Sequence, residues 1–191
     1  MEAKLRSAVK RQLLQEDICD PQTLVIEELG ILQGSVRIDI AVVNGLIHGF
    51  ELKSSTDTLE RLPRQVEAYS RVVDQATLVV ADSHLRDSVA ILPPWWGIVA
   101  VSTRGARLSC RLIREIRPNP NPNSLDIAGL LWRPEALDIL EKLGLATGVR
   151  SKPRRTLHAR LATTLDIDVL RFTVRRCLRQ RQAWRPGEPR T

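Results

Sequence analysis

Apolar residues dominate the chain between Arg37 and Lys53, and an Asn-Gly pair divides this stretch into two runs. Asn-Gly between two apolar runs is the strongest short-range signal for a β-hairpin. Three charged residues, Asp39, Glu51 and Lys53, interrupt runs that otherwise suit a protein core. Because an isolated charge in a buried sheet is costly unless it is paired or bound to a metal, three charges on one hairpin indicate a functional site.

The length of the hairpin loop decides whether the two carboxylates share a face, because successive side chains on a strand point to opposite sides. A two-residue turn at Asn44-Gly45 places Asp39 and Glu51 on opposite faces. A three-residue loop that also includes Val43, with Gly45 at positive φ in a bulge, places them side by side. If these charges form a site, we expect the longer loop.

Two carboxylates on one side of a hairpin have a defined chemistry. Acidic oxygen ligands suit a hard divalent ion such as Mg²⁺ or Mn²⁺. A neighbouring lysine can position a water molecule or stabilise the charge on a phosphate. Asp39, Glu51 and Lys53 are therefore candidates for metal-assisted phosphate chemistry.

A helical pattern follows the hairpin. Apolar residues recur at helical spacing between positions 59 and 73, and we expect Thr58 to be the N-cap. Gln65 and Tyr69 lie one turn apart on this helix, so their side chains project from the same face. A buried Tyr69 beside a polar Gln65 at the helix edge is the alternative interpretation of this pair.

Taken together, these residues resemble the signature of the PD-(D/E)XK nuclease superfamily. Asp39 is followed twelve residues later by Glu51-Leu52-Lys53, although Ile38 stands where the pattern has proline. The sequence Gln65-Val66-Glu67-Ala68-Tyr69 resembles the QxxxY motif of the RecB-like and lambda-exonuclease-like branches. The resemblance covers about residues 1–116 and is closest to small bacterial or phage proteins of unassigned role.

The resemblance implies specific roles. Asp39, Glu51 and the carbonyl of Leu52 would hold Mg²⁺ or Mn²⁺, and Lys53 would orient or activate the attacking water. Gln65 and Tyr69 would support the metal shell or the scissile phosphate. Relatives often place another acidic ligand before the hairpin; we expect Glu28 in this role, with the adjacent Glu27 as the alternative.

The order of elements predicts an α/β protein with a mixed central sheet flanked by helices. The resemblance implies a restriction-endonuclease-like core over residues 1–117. Residues 118–123, an alternation of proline and asparagine, are typical of a linker. Residues 124–191 show helical patterns and are expected to form a small basic module that packs on the core.

Positive charge is concentrated at the C-terminal end. Residues 150–191 contain twelve basic and three acidic residues, a net charge of +9, whereas the remaining residues carry −2. A basic end on a nearly neutral body favours a polyanionic partner, expected to be DNA. The candidate phosphate-binding residues are Arg150, Lys152, Arg154, Arg155, Arg175 and Arg176.

The sequence also bounds location and leaves rival functions open. No apolar run approaches a membrane span, the charged N-terminal residues are unlike a signal peptide, and three widely spaced cysteines indicate a reducing compartment. We therefore expect a cytoplasmic protein without a membrane partner. An RNA nuclease, a catalytically idle binding module, and a monomer or a homodimer are all compatible with the sequence.

Overall fold

A six-stranded mixed sheet forms the centre of the molecule. The computed structural model describes residues 2–104 and 107–181. The sheet has the strand order β1-β2-β3-β4-β5-β6. The strands are β1 (Leu24–Ile31), β2 (Val36–Val43), β3 (Ile47–Lys53), β4 (Gln75–Ala81), β5 (Gly97–Arg104) and β6 (Arg107–Arg114).

Helices surround this sheet and form the C-terminal part of the chain. They are α1 (Glu2–Gln12), α2 (Gln15–Cys19), α3 (Leu62–Val72), α4 (Leu85–Ile91), α5 (Ser124–Ala128), α6 (Arg133–Lys142), α7 (Arg154–Thr164) and α8 (Ile167–Gln180). The predicted fold class, a mixed sheet flanked by helices with an all-helical C-terminal part, is confirmed. None of the helices in the described part of the chain has both the length and the apolar character needed to span a membrane.

Strand direction determines where the ends of the strands meet. Strands β3, β4 and β5 are parallel to one another, whereas β1-β2, β2-β3 and β5-β6 are antiparallel pairs. Helix α3 connects β3 to β4, and α4 connects β4 to β5. The carboxyl ends of the three parallel strands therefore lie at one edge of the sheet, and Lys53 ends β3 at this edge.

Helices bury both faces of the sheet. On one face, Leu62 and Tyr69 of α3 belong to a large core that continues into α5, α6, α7 and α8. On the other face, Leu5 and Val9 of α1 pack in a smaller core with Phe50 of β3. Because both faces are covered, a charged side chain on β3 must be paired inside the protein or reach the edge of the sheet.

The hairpin between β2 and β3 differs from both expected loops. Val43 pairs with Ile47, so the loop is Asn44-Gly45-Leu46, and Gly45 is not among the glycines at positive φ. The expected bulge at Gly45 is therefore wrong. Hydrogen bonds close the loop instead: Asn44 N–H donates to the Leu46 carbonyl (3.1 Å), and Leu46 N–H donates to Asn44 Oδ1 (3.3 Å).

A long-range contact supports this register. The Asp74 carboxylate accepts a hydrogen bond from Ile47 N–H at 2.7 Å, and Asp74 N–H donates to the Ile47 carbonyl at 2.9 Å. Asp74 lies between α3 and β4, far from the hairpin in sequence. Local turn preferences do not contain this contact, which both backbone groups of Ile47 make where the loop ends.

Helix α3 begins later than expected. It starts at Leu62, with Arg61 at the N-cap position and Pro63 in its first turn, so Thr58 is not the cap. Proline is tolerated in the first turn because the backbone N–H that it lacks has no partner inside the helix there. Tyr69 is fully buried, as the alternative interpretation of the Gln65 and Tyr69 pair had it.

The segment 118–123 is held against the rest of the protein. Asn119 is buried, and its Nδ2 donates to the carbonyls of Ser70 and Val73, both at 2.8 Å. Asp74 forms ion pairs with Arg171 (2.9 Å) and Arg175 (3.2 Å) of α8. The division into a core and a C-terminal module stays a prediction, although the two parts share one hydrophobic core.

These ion pairs bear on one sequence-based assignment. The Arg175 side chain is 17 % exposed and points to Asp74 rather than to solvent. A buried ion pair of this kind opposes the release of the arginine, because breaking it would leave a carboxylate without its partner. Arg175 therefore links α8 to Asp74, and a role in phosphate binding would require it to leave this partner.

Gly49 on β3 makes room for Tyr69. A Cβ atom at position 49 would lie 3.1 Å from two carbons of the Tyr69 ring and 3.3 Å from Cγ1 of Val73. Both are closer than ordinary van der Waals contact. The absence of a side chain at position 49 therefore allows the Tyr69 ring to pack closely against β3.

We expect Gly49→Val to lower the free energy of unfolding by about 1–3 kcal/mol, the usual cost of overfilling a core. Urea denaturation followed by circular dichroism measures this change. Gly45→Val is the matched control, because position 45 is exposed with no atom within 4 Å of an added Cβ; it should change stability by less than about 0.5 kcal/mol. Equal effects of the two variants would contradict the close contact at Gly49.

Candidate functional site

A charged cleft lies at the carboxyl end of β3. It has a volume of about 420 Å³ and is bounded by the strands β1, β2 and β3, the turn before β2, and the first half of α3. The cleft brings together five of the predicted site residues with Leu52. Among the residues that line it are Glu28, Arg37, Asp39, Glu51, Leu52, Lys53, Asp57, Arg61, Arg64 and Gln65.

Three acidic residues form a row at the base of this cleft. The registers of β1 with β2 and of β2 with β3 bring Glu28, Asp39 and Glu51 to neighbouring positions on three adjacent strands. The ladder between β2 and β3 ends at Ile40 and Phe50, just before Asp39. The strands are thus free to separate where the two inner carboxylates lie.

The backbone of β1 is distorted at Glu28. Glu28 has φ = 56°, in the left-handed region that is uncommon for residues other than glycine. Ile26 and Leu29 lie on either side of Glu28, and both belong to the large core on the α3 face of the sheet. They are three residues apart, so strict alternation would place them on opposite faces. The neighbouring β2 breaks alternation in the same way, with Ile38 and Ala41 in that core.

This distortion decides which glutamate faces the cleft. Glu28 lines the cleft, whereas Glu27 forms ion pairs with Lys10 and Arg6 of α1. The sequence left both glutamates open because an assumed regular strand cannot reveal a local change of face. The structure places Glu28 beside the predicted metal ligands.

Tyr69 links the separated strands. Its hydroxyl donates to Glu51 Oε2 at 2.7 Å and accepts from Asp39 N–H at 3.3 Å. The Phe50 carbonyl lies 3.4 Å from the same hydroxyl. A hydroxyl has one hydrogen to donate, and the shorter contact with the carboxylate takes it. Tyr69 thereby fixes the orientation of Glu51.

Lys53 and Glu51 form a buried ion pair. Lys53 Nζ lies 2.8 Å from Glu51 Oε1, and the two side chains are 6 % and 1 % exposed. Lys53 Nζ also donates to Gln65 Oε1 at 2.9 Å. The predicted pair on α3 therefore has two separate tasks: Gln65 orients the lysine and Tyr69 orients the glutamate.

Asp39 is held by the backbone of β3. Its Oδ2 accepts a hydrogen bond from Leu52 N–H at 2.8 Å. The N–H and carbonyl of one strand residue point to the same side of the strand, so the Leu52 carbonyl is also directed toward β2. This places a backbone oxygen of β3 on the side of Asp39.

Burial changes the acidity of both inner carboxyl groups. Desolvation by burial and the charge of Glu51 raise the pKa of Asp39 from 3.8 to about 7, against the opposing effects of Leu52 N–H and Arg6. Burial also raises the pKa of Glu51, although Lys53 and Tyr69 act in the opposite direction. Two buried carboxylates that oppose each other's ionisation would be stabilised together by a bound cation.

The donor atoms fit a hard divalent ion that keeps part of its water shell. Within residues 2–104 and 107–181, no three or more His, Cys, Asp or Glu side chains have an arrangement that could hold a metal ion. The available set is the carboxylates of Asp39 and Glu51 with the Leu52 carbonyl. Magnesium is commonly bound through one or two carboxylates together with water and substrate phosphate. These are donor types that such an ion accepts, and binding through Glu51 would compete with the contacts that Lys53 and Tyr69 make to its two oxygens.

Three arginines form a basic rim that the sequence analysis did not assign to the site. Arg37, Arg61 and Arg64 line the same cleft, and all three are exposed. In the part of the chain that the structure describes, none of the three has an acidic partner within ion-pair distance. Their spacing in the sequence carried no signal, because Arg37 lies near the start of β2 whereas Arg61 and Arg64 lie at the start of α3.

The basic residues predicted near the C-terminus lie elsewhere. None of the six lines the cleft. Arg150 is exposed and pairs with Glu141 at 3.1 Å, while Arg154 is half-buried. Four of the six are exposed, and phosphate binding remains a prediction for them: Arg150, Lys152, Arg155 and Arg176.

The fold and the cleft define a mixed α/β protein with a buried, charged cluster at the carboxyl end of a central strand. The chain belongs to the family described as Bacteriophage P4 protein cII, which it matches over residues 1–185. It is similar to Protein cII of Enterobacteria phage P4, with 26% identity over 121 residues, 63% of this chain and 46% of that protein. The chain thus spans about half the length of this curated relative. No solved structure matches the chain.

We expect Asp39→Asn to stabilise the metal-free protein more at pH 8 than at pH 5. The pKa of Asp39 is about 7 in the folded protein, against an ordinary value of 3.8. The folded state thus holds an extra proton between these values, and wild-type stability falls as the pH rises through 7. The gain at pH 8 should be on the order of 1 to 4 kcal/mol.

Urea unfolding in the presence of EDTA measures this difference. Glu67→Gln, at an exposed position of α3, is the control for the loss of one carboxylate. A difference between Asp39→Asn and wild type that stays constant from pH 5 to pH 8 would contradict the raised pKa.

Proposed function

We propose that this protein is a metal-dependent nuclease that hydrolyses phosphodiester bonds in DNA with Mg²⁺ or Mn²⁺ as cofactor. The observation that carries the proposal is the buried Glu51–Lys53 pair at 2.8 Å, which lies beside Asp39 at the base of an open cleft. Buried charges are costly for stability. Their concentration at the accessible end of one strand supports a catalytic role over a structural one.

Each side chain has a distinct task in this proposal. When bound, the ion would polarise the phosphate and lower the pKa of a coordinated water molecule. Asp39, Glu51 and the Leu52 carbonyl would hold it in the cleft. Lys53 is placed to orient the attacking water and to stabilise negative charge that develops on the phosphate.

Two residues of α3 act indirectly, through Lys53 and Glu51. Gln65 accepts a hydrogen bond from Lys53 Nζ, which fixes the position of the ammonium group. Tyr69 donates to Glu51 Oε2, which leaves the carboxylate one preferred orientation. Both are positioning residues, because their contacts are with the catalytic side chains.

The basic rim supports a polyanionic substrate. The acidic residues of the cleft are flanked by Arg37, Arg61 and Arg64. Phosphates on either side of the reacting group would therefore meet positive charge. Arginine binds phosphate through parallel hydrogen bonds. The exposed Arg150, Lys152, Arg155 and Arg176 are proposed to add contacts with the nucleic acid backbone outside the cleft.

The setting we propose is the cytoplasm. Cys19, Cys110 and Cys177 are all free thiols, which is usual in a reducing compartment.

The deciding experiment is incubation of the purified protein with labelled linear, circular and single-stranded DNA and with RNA, each with Mg²⁺, Mn²⁺ or EDTA. Cleavage of DNA that requires the divalent ion supports the proposal. Cleavage of RNA alone would replace it with a ribonuclease. Metal-independent binding without cleavage would identify a nucleic-acid-binding module with an idle site.

We expect Asp39→Ala, Glu51→Ala and Lys53→Ala each to lower the cleavage rate by at least about 100-fold, because each removes a ligand or a group that stabilises charge. Gel assays with matched protein concentrations measure the rate, and circular dichroism checks the fold. Glu67→Ala, which removes an exposed carboxylate of α3 that does not line the cleft, should cleave like wild type. Equal activity in all four variants would assign the cleavage to a contaminant or to another site.

A second comparison separates the two basic surfaces. The triple variant Arg37/Arg61/Arg64→Gln should lose cleavage at saturating DNA and flatten the dependence of log K on log salt by about 0.9 for each phosphate that it no longer neutralises. The variant with Arg150, Lys152, Arg155 and Arg176 changed to Gln should weaken binding and flatten the slope while keeping the cleavage rate at saturation. An unchanged salt slope in the triple variant would show that the rim does not contact the DNA.

A further inference from the structure

Arg6 of α1 reaches the acidic row from the face of the sheet opposite α3. Its Nη1 donates to the Asp39 carbonyl oxygen at 2.7 Å, and its Nη2 donates to Glu28 Oε1 at 2.7 Å. The same Nη2 lies 3.9 Å from Asp39 Oδ1. The side chain is only 15 % exposed, so a permanent positive charge is held between Glu28 and Asp39.

Two-metal phosphoesterase sites hold their ions about 3.5–4 Å apart, with carboxylates shared between them. In this row, the first ion would lie between Asp39 and Glu51, and a second would have to lie between Asp39 and Glu28. The Arg6 guanidinium already lies there and cannot lose its charge. A divalent ion at that place would have to displace it against both hydrogen bonds and the repulsion between the two cations.

We propose that Arg6 occupies the second cation position, so that the site binds one divalent ion per chain. This inference rests on the proposed function, because it assumes that Asp39 and Glu51 bind an ion. Arg6 acts as a positioning residue. It neutralises Glu28, holds the distorted backbone on which Glu28 and Asp39 lie opposite each other, and leaves Asp39 to serve the first ion.

Each of the three carboxylates in the row has a different set of cationic partners. Glu28 contacts Arg6 rather than Lys53, and Glu51 contacts Lys53 rather than Arg6. Each flanking carboxylate thus contacts a fixed cation, and Arg6 is also shared with Glu27 at 3.5 Å. Asp39, in the middle, has a backbone N–H on one oxygen and Arg6 no closer than 3.9 Å to the other. Asp39 is therefore the carboxylate with the weakest fixed compensation.

The test is a count of bound Mn²⁺ by isothermal titration calorimetry and electron paramagnetic resonance on the full chain after treatment with EDTA. Wild type should bind one ion, with the spectrum of an isolated Mn²⁺. Arg6→Gln frees Glu28 and removes the fixed charge, so it should bind two ions with a spin-coupled spectrum. Arg6→Lys keeps a positive charge and should restore a count of one.

Lys10→Gln is the matched control, because Lys10 lies one turn from Arg6 on α1 and contacts Glu27, which does not line the cleft. It should bind one ion. Circular dichroism verifies the fold of each variant. If Arg6→Gln does not fold, the wild-type spectrum at millimolar Mn²⁺ decides: an isolated ion supports the inference and a spin-coupled pair overturns it.

The outcomes separate this inference from the proposed function. A count of one in both wild type and folded Arg6→Gln overturns the role of Arg6 and leaves a one-ion nuclease site intact. A count of two in wild type also overturns it. A count of zero in wild type removes the metal site itself, and with it both the proposed function and this inference.

Discussion

Glu51 and Lys53 bring two opposite charges to the end of a strand whose faces are both covered by helices. Their side chains are almost completely withdrawn from water, and a pair in this environment is stable only when each partner makes further hydrogen bonds. Tyr69 and Gln65 of α3 provide these bonds. The position of α3 on the sheet is therefore tied to the charge pair, and Gly49 permits the close approach that Tyr69 needs.

Arg6 of α1 stabilises the part of the site formed by Glu28 and Asp39. Glu28 adopts a positive φ, an uncommon and strained conformation for a residue with a side chain. Its carboxylate and the neighbouring Asp39 backbone both receive hydrogen bonds from Arg6. Helix α1 thus contributes more than apolar cover, because its arginine holds the two strands at the place where their regular side-chain alternation changes. Asp39, between the two fixed cations, keeps a raised pKa.

The C-terminal helices contact the sheet through Asp74, at the end of β3 opposite the site. This carboxylate joins the start of β3 to Arg171 and Arg175 of α8, while the buried Asn119 fixes the adjoining proline-rich segment to the end of α3. Deleting the C-terminal helices would therefore expose the large core and remove partners of Asp74. Charge substitutions at exposed positions are the sounder way to examine the basic surface of these helices.

The sequence by itself determined the order of the elements and the mixed sheet, because strand alternation and helical spacing are local properties of the chain. The grouping of Asp39, Glu51 and Lys53 with Gln65 and Tyr69 followed from the family resemblance, because alternation alone left the shared face of the two carboxylates open. Only the tertiary structure decided the hairpin register, where Asp74 contacts Ile47, and the face of Glu28, which depends on a local φ. It also decided that Arg175 is buried in an ion pair and that arginines distant in sequence converge on the cleft. Apart from the backbone conformation at Glu28, these features involve contacts between distant parts of the chain, which local sequence patterns do not encode.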